Sequence, residues 1–309
     1  MTVSDAQPRP TVSVVLPVFN AARYLPDLLR ALAAQKPDPP REILLVDSQS
    51  TDGTAAVAAR CDTVRRIPVE RFSHGRARNI GARAASGDLV VFMSQDALPA
   101  DDRWLAELSA PFADPRVAGA YSRQVPRPDA SPMERYFLET RFPAGAPVRR
   151  EKRGNEALTL ERVFFSNVSS AVRRSLLLQI PFDEELIMSE DQQLSRDLLE
   201  HGYAVVYQPG SVVIHSHNYS LATVFRRYFD SVYSLTVIFP KHSLDTSASM
   251  GFRYLFAEIG YMVRRHPLHL PYYALYAMAK AAGTCAAHFA TRMPRRMARA
   301  MSLHRYYWD

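Results

Sequence analysis

Two kinds of apolar pattern alternate along the first hundred residues. Short, mostly apolar runs recur at 12–16 (VSVVL), within 42–47 (EILLVD) and at 89–93 (LVVFM), as expected of strands buried on both faces. Between the first two, residues 21–35 place Tyr24, Leu25, Leu28, Leu29 and Leu32 at the 3–4 spacing of an amphipathic helix. Residues 64–69 predict a third strand. The stretch 72–87 predicts a basic helix with a face of small residues, Gly81, Ala82, Ala84 and Ala85, able to lie close on a sheet. Pro17 is expected to end the first strand, Asp52 to cap the helix through 59, and Gly87 to close the basic helix as a left-handed residue. Strand and helix thus alternate from 12 to 96, which predicts an α/β fold with a mostly parallel central sheet and right-handed crossovers.

The remainder reads differently. Residues 117–125 and 167–173 suit strands, while 131–162 is polar, proline-containing and irregular, the profile of a long functional loop. Ser189 and Gln192 match a capping box that opens a helix to about His201, with Gly202 as its stop. Two short strands are expected at 204–207 and 211–217, around Pro209-Gly210. From 220 onward the pattern is helical, over 221–239, 251–264 and 270–289, and rich in aromatic residues and arginine. We therefore expect an α/β domain over 10–219 whose pattern changes at about 100. A helical extension over 220–309 would follow.

Charge sharpens that division. The net charge is +7 over 309 residues, but 12 of the 38 Lys/Arg and only 4 of the 31 Asp/Glu lie beyond residue 219. The preceding part is close to neutral. Two cysteines, Cys61 and Cys285, exclude a disulfide framework and a cysteine-based zinc site, and fit a reducing compartment. MTVSDAQPRP has no apolar core of a secretory signal, and the most apolar later stretch, 271–290, is interrupted by Lys280, Gly283 and His288.

The strands at 12–16, 42–47 and 89–93 end in Phe19–Asn20, Asp47–Ser48 and Gln95–Asp96. In a parallel sheet these ends share one edge, where open α/β sheets bind ligands. Asp96, after a buried strand, has little structural need of its charge, whereas Asp47 also suits a plain turn. His215 and His217 form H-x-H, which puts both on one side of a strand; His215 could join Asp96 at a metal. Glu190 and Asp191 open a helix whose dipole favours carboxylates, so they read equally as ordinary helix-start charges or as a general base aimed at the crevice. There is no G-x-G-x-x-G after the first strand, no Walker A, no H-E-x-x-H and no G-x-S-x-G, which demotes dinucleotide redox enzymes, P-loop NTPases, zincins and α/β-hydrolases.

PVFN at 17–20, VDSQSTDGT at 46–54, HGRARNIGA at 74–82, SQDALP at 94–99 and SED at 189–191, in that order, resemble the inverting glycosyltransferases of family 2 with the GT-A fold. SQDALP, HSHNYS at 215–220 and SLHRYYW at 302–308 resemble its bacterial rhamnosyltransferase branch more narrowly. The resemblance implies that residues 10–219 are a Rossmann-like GT-A catalytic domain, with a nucleotide-sugar half of about 10–100 and an acceptor half of about 101–219. Asp47 would hold the nucleobase; Asp52 and the Pro17, Phe19 and Asn20 loop would contact the nucleoside; Arg78 would face the nucleotide or its phosphates, with Gln95 beside Asp96. Asp96, with His215, would ligate Mg²⁺ or Mn²⁺, Asp191 would be the base, Glu190 would orient donor or acceptor, and Trp104 would line the acceptor side. Where such enzymes carry D-x-D, this chain has Ser94-Gln95-Asp96, a single carboxylate. The implied partners are a nucleotide sugar, dTDP-rhamnose as the donor of a deoxyhexose with a UDP-hexose as the alternative, and a saccharide or lipid-linked glycan acceptor. The basic helices suit either a packed extension or an anionic membrane surface, giving a cytoplasmic, peripherally bound protein. A non-catalytic nucleotide-sugar-binding or membrane-binding relative is the reading from another class. Nucleic acid is not expected, since no recognised binding motif is present.

Overall fold

A computed structural model describes residues 9–239 and 244–309, with the backbone alone over 244–252. The chain divides into two compact units. One comprises residues up to 123, 144–184 and 191–215; the other comprises 124–143, 185–190 and 216–309.

The first unit is built on a sheet. In chain order it contains β1 (Val12–Val18), α1 (Leu25–Ala33), β2 (Glu42–Asp47), α2 (Thr54–Ala58), β3 (Val64–Pro68), α3 (His74–Ala84), β4 (Leu89–Met93), β5 (Leu98–Pro99) and α4 (Trp104–Ser109). β6 (Val117–Val125) follows and runs from this unit into α5 (Pro132–Arg141) of the second. The first unit then resumes with β7 (Val148–Glu151), β8 (Ser169–Arg173), α6 (Arg174–Leu177), α7 (Glu190–Glu200, whose first residue falls to the second unit) and β9 (Ala204–Ile214). The order across the sheet is β3-β2-β1-β4-β8-β6-β9-β5, with β7 also on β9. β3, β2, β1 and β4 are mutually parallel; β8 returns antiparallel on β4, pairing Met93 with Ser169. The start of β8 therefore lies at the same edge as the carboxyl ends of β1, β2 and β4.

Several expectations change. Pro17 does not stop β1: it pairs with Val46 and the strand continues to Val18, since proline accepts the extended backbone where no ladder N–H is demanded of it. Asp52 is one residue short of the cap position, which is Gly53, yet its Oδ1 accepts the Thr54 N–H at 3.0 Å. Gly81 does lie on the sheet, where a Cβ would come within 2.3 Å of Val15 Cγ1. Gly87 is not a left-handed cap: α3 ends on extended Ala85, and Gly87 is small because a Cβ would stand 2.7 Å from the Ser13 nitrogen. Gly202 does adopt φ +81° after α7. Ser189 also takes a positive φ, +63°, unlike an ordinary N-cap, and the Gln192 N–H goes to Asp191 Oδ1 at 2.9 Å instead of completing the expected box. Pro209-Gly210 does not split β9, which runs unbroken for 11 residues to Ile214.

The second unit is helical. Within 131–162, expected to be irregular, Ser131 caps α5 by accepting the Glu134 N–H at 3.3 Å, and Pro132 occupies its first turn. β7 lies later in the same stretch. The remaining helices are α8 (Leu221–Ile238), α9 (Leu244–Arg265), α10 (Leu270–His288) and α11 (Arg295–Met301). Phe229, Ala287, Ala290 and Ala298 form one core with Trp308 against it; Met133, Met262 and Tyr273 form another. Buried Glu258 accepts hydrogen bonds from Lys280 Nζ at 2.9 Å and the Tyr273 hydroxyl at 3.0 Å. No described helix is long and apolar enough to cross a membrane.

Candidate active site

Side-chain hydrogen bonds join the three strand-end loops of the first unit. Gln95 clamps the Phe19 backbone with both halves of its amide: Oε1 accepts the Phe19 N–H at 2.8 Å and Nε2 donates to the Phe19 carbonyl at 3.1 Å. Phe19 itself is 56% exposed. Asn20, held at φ +49°, gives its N–H to Ser50 Oγ at 2.9 Å, while its Oδ1 accepts the Thr51 N–H at 2.9 Å. Asp52 Oδ2 accepts the Ala22 N–H at 3.0 Å. The strand ends brought Phe19, Asn20 and Gln95 to one edge, and the resemblance added Asp52; no signal marked Ser50 as a link between two of the loops.

Asp47 is fully buried beneath them. Its Oδ1 accepts the N–H and hydroxyl of Ser50 at 2.9 and 2.6 Å, and Oδ2 pairs with Arg66 Nε at 2.5 Å. Burial alone would push this carboxyl up, but the Ser50 hydrogen bonds and the Arg66 guanidinium outweigh it and hold Asp47 below the usual carboxylate range. Arg66, on β3, drew no attention in the sequence. Arg78 is buried and donates Nη1 to the His74 carbonyl of its own helix at 3.1 Å.

Asp96 and His215 meet. β5 pairs Leu98 with Ile214, which brings the loop after β4 to the end of β9, with His215 Nε2 3.6 Å from Asp96 Oδ1. His215 is buried, and both histidines of H-x-H lie beyond the strand that was expected to carry them. The separation exceeds a hydrogen bond, yet both atoms could touch one cation, whose bonds to such ligands are about 2.0–2.2 Å. One carboxylate oxygen and one imidazole nitrogen could together hold a divalent cation.

Asp191 reaches the same edge through β8. The Ser94 N–H donates to the Val168 carbonyl at 3.1 Å, and the preceding residue, Asn167, gives its own N–H to Asp191 Oδ2 at 3.3 Å. Asp191 thus stands a few residues of backbone from the Asp96 loop. Glu190 is buried and belongs to the second unit. Trp104 does not line a site: it is fully buried, with Nε1 donating to Ser169 Oγ at 3.0 Å.

A family model described as glycosyl transferase family 2 matches residues 13–180, a segment that holds all three joined loops. The chain belongs to glycosyltransferase family 2. It is 29% identical over 303 residues to the O-antigen chain rhamnosyltransferase RfbN of Salmonella typhimurium, covering 96% of each chain. It is 29% identical over 306 residues to WbaN of Salmonella anatum, also an O-antigen chain rhamnosyltransferase, covering 97% of this chain and 96% of that one. Among solved structures, the mannosyltransferase PcManGT of Pyrobaculum calidifontis, in complex with GDP-Man and Mn²⁺, aligns with a TM-score of 0.58 at 22% identity, over 98% of this chain and 86% of that one. Staphylococcus aureus TarS 1–349 with UDP-GlcNAc aligns at 0.55 and 18% identity, over 95% and 84%. These likenesses establish the GT-A fold, and the chain is a glycosyltransferase.

Proposed function

We propose that this glycosyltransferase moves a deoxyhexose, L-rhamnose from dTDP-rhamnose, with inversion onto a hydroxyl of a growing polysaccharide or lipid-linked saccharide. The observation that carries the reading is the shared sheet edge of the clamped donor loops, the Asp96–His215 pair and Asp191. The near full-length likeness to two rhamnosyltransferases supports the sugar. Residues 10–100 would recognise the donor and 101–219 the acceptor.

The Phe19–Asn20 loop beyond Pro17, Asp52 and the turn that Asp47 holds would receive the nucleoside, with Arg78 toward its phosphates and Gln95 keeping the first loop in place. A divalent cation on Asp96 and His215, Mg²⁺ or Mn²⁺, would supply positive charge for the departing diphosphate. Asp191 takes the proton from the acceptor hydroxyl as its oxygen attacks the anomeric carbon. The bond from that carbon to the diphosphate oxygen breaks on the opposite face, so configuration inverts in one step. Glu190 would orient the sugar or the acceptor. Asp191→Asn should lower kcat by about 10²–10⁴ while leaving calorimetric donor affinity near wild type. Transfer at the wild-type rate would remove Asp191 as the base.

We also assign peripheral binding on the inner face of the plasma membrane to the second unit. Phe256 is exposed on α9, which ends in Arg264 and Arg265; Leu268, Leu275, Met278 and Phe289 are exposed along the segment that follows, Leu268 at 93%, and Arg292, Arg295 and Arg296 come next in the chain. Apolar residues beside arginines suit an anionic lipid surface.

A further inference from the structure

The second unit holds a cavity of about 330 Å³ that the chemistry above does not use. Its walls come from the first turn of α5, the 217–220 segment leading into α8, and Tyr272 and Tyr276 of α10. Hydrogen bonds fix that shape. The Ser131 N–H donates to Asn218 Oδ1 at 2.8 Å, and Asn218 Nδ2 donates to the Asp129 carbonyl at 2.9 Å. Glu134 Oε1 accepts the His217 N–H at 3.2 Å, and Ser220 caps α8 by accepting the Thr223 N–H at 3.3 Å. The small polar residues are thus spent on holding the walls.

What remains for a guest is specific in kind. Glu134 has a second carboxylate oxygen, Tyr272 and Tyr276 have phenol groups, and Met133 and the tyrosine rings supply apolar surface. The His217 and Tyr219 rings in the lining are stacked on each other, with centroids 5.0 Å apart. Among the described residues no lysine or arginine lines the cavity, so a phosphate or a carboxylate would meet no cation there. A lipid tail would offer no hydrogen bond to the second carboxylate oxygen or to the phenol groups, at a cost. A pyranose satisfies both halves: its hydroxyls donate to Glu134 while its C–H face lies on a ring. The volume is at the small end of ligand pockets, enough for one or two sugar units.

We propose that this cavity is a saccharide subsite that holds a neutral pyranose of the acceptor glycan, a unit other than the one that reacts. The proposal rests on the reading of the acceptor as a saccharide. Binding energy from such a remote unit positions the reacting hydroxyl.

The test uses the full chain without donor. Methyl α-L-rhamnoside, methyl α-D-mannoside, methyl β-D-galactoside and methyl β-D-glucoside are titrated by saturation-transfer NMR. At least one should bind, with the saturated protein signals including tyrosine rings. Tyr272→Ala and Glu134→Gln should each weaken that binding about tenfold, with dTDP-rhamnose affinity unchanged in both. Tyr272 is 42% exposed, so its truncation should leave the melting temperature near wild type. Binding of none of the four by the wild-type protein would overturn the subsite. So would glycoside binding that both substitutions leave intact, or displacement of the glycoside by dTDP. Glycoside binding at these residues without dTDP-rhamnose binding would keep the subsite and sink the donor assignment instead.

Discussion

Gln95 occupies the middle of a Ser-Gln-Asp triplet where a carboxylate pattern would be the familiar signal, and its two bonds to the Phe19 backbone give its amide a specific use. Gln95→Ala should free the 17–20 loop and raise the donor dissociation constant about tenfold, with a smaller change in kcat, measured by calorimetry and initial rates. An unchanged affinity would mean that the loop orders without the clamp. Asp47 carries a pH prediction. Its folded-state pKa lies below the unfolded one, so its contribution to stability is present at neutral pH. That contribution is lost as pH falls below about 4 through the folded value. Asp47→Asn should flatten that acid limb of a melting-temperature profile; an unaltered limb would assign the acid loss to other carboxylates. Strand-end position brought Asp47, Gln95 and Asp96 into view. It could not separate Trp104, which a buried serine contact claims for the core, or point to Arg66, which reaches Asp47 from β3, the strand paired with β2.

At the level of elements, alternating apolar runs predict the parallel half of the sheet well, since each strand there is buried on both faces. The antiparallel half is harder. β9 absorbs Pro209-Gly210 because β7 and β5 pair with its two ends, a tertiary support invisible to local turn signals. α5 hides in a stretch whose arginines and prolines suggest a loop; Ser131 and Pro132 were its start signal. The close approach of α3 to β1 gives the sharpest test. Gly81→Ala should cost about 1–3 kcal/mol in denaturant unfolding, because its Cβ would meet Val15 Cγ1 at 2.3 Å. Val15→Ala should restore part of that loss in the double variant. Gly53→Ala, whose Cβ would meet ordinary contact at 3.6 Å, should change little. Strict additivity of Gly81→Ala and Val15→Ala would place the strain elsewhere.

Over the whole molecule, charge separates along the sequence, a near-neutral part bearing the joined strand-end loops and a basic helical part. In the latter the closing SLHRYYW segment is tied down: buried Asp230 Oδ2 accepts the N–H groups of Leu303 and His304 at 2.8 and 3.0 Å. Truncation there would disturb a folded core, so membrane binding is better probed on the surface. Leu268→Asp with Phe256→Asp should reduce sedimentation with phosphatidylglycerol vesicles several-fold, and salt should weaken binding of the parent. Equal sedimentation would remove these helices as the lipid-binding face. The most direct test of the central claim is calorimetric titration of dTDP-rhamnose and UDP-glucose, each with and without Mn²⁺, on wild type and Asp96→Ala. Tighter, Mn²⁺-assisted binding of dTDP-rhamnose, with the Mn²⁺ gain lost in Asp96→Ala, is the predicted result. Preference for UDP-glucose, or no donor binding by the folded protein, would contradict it.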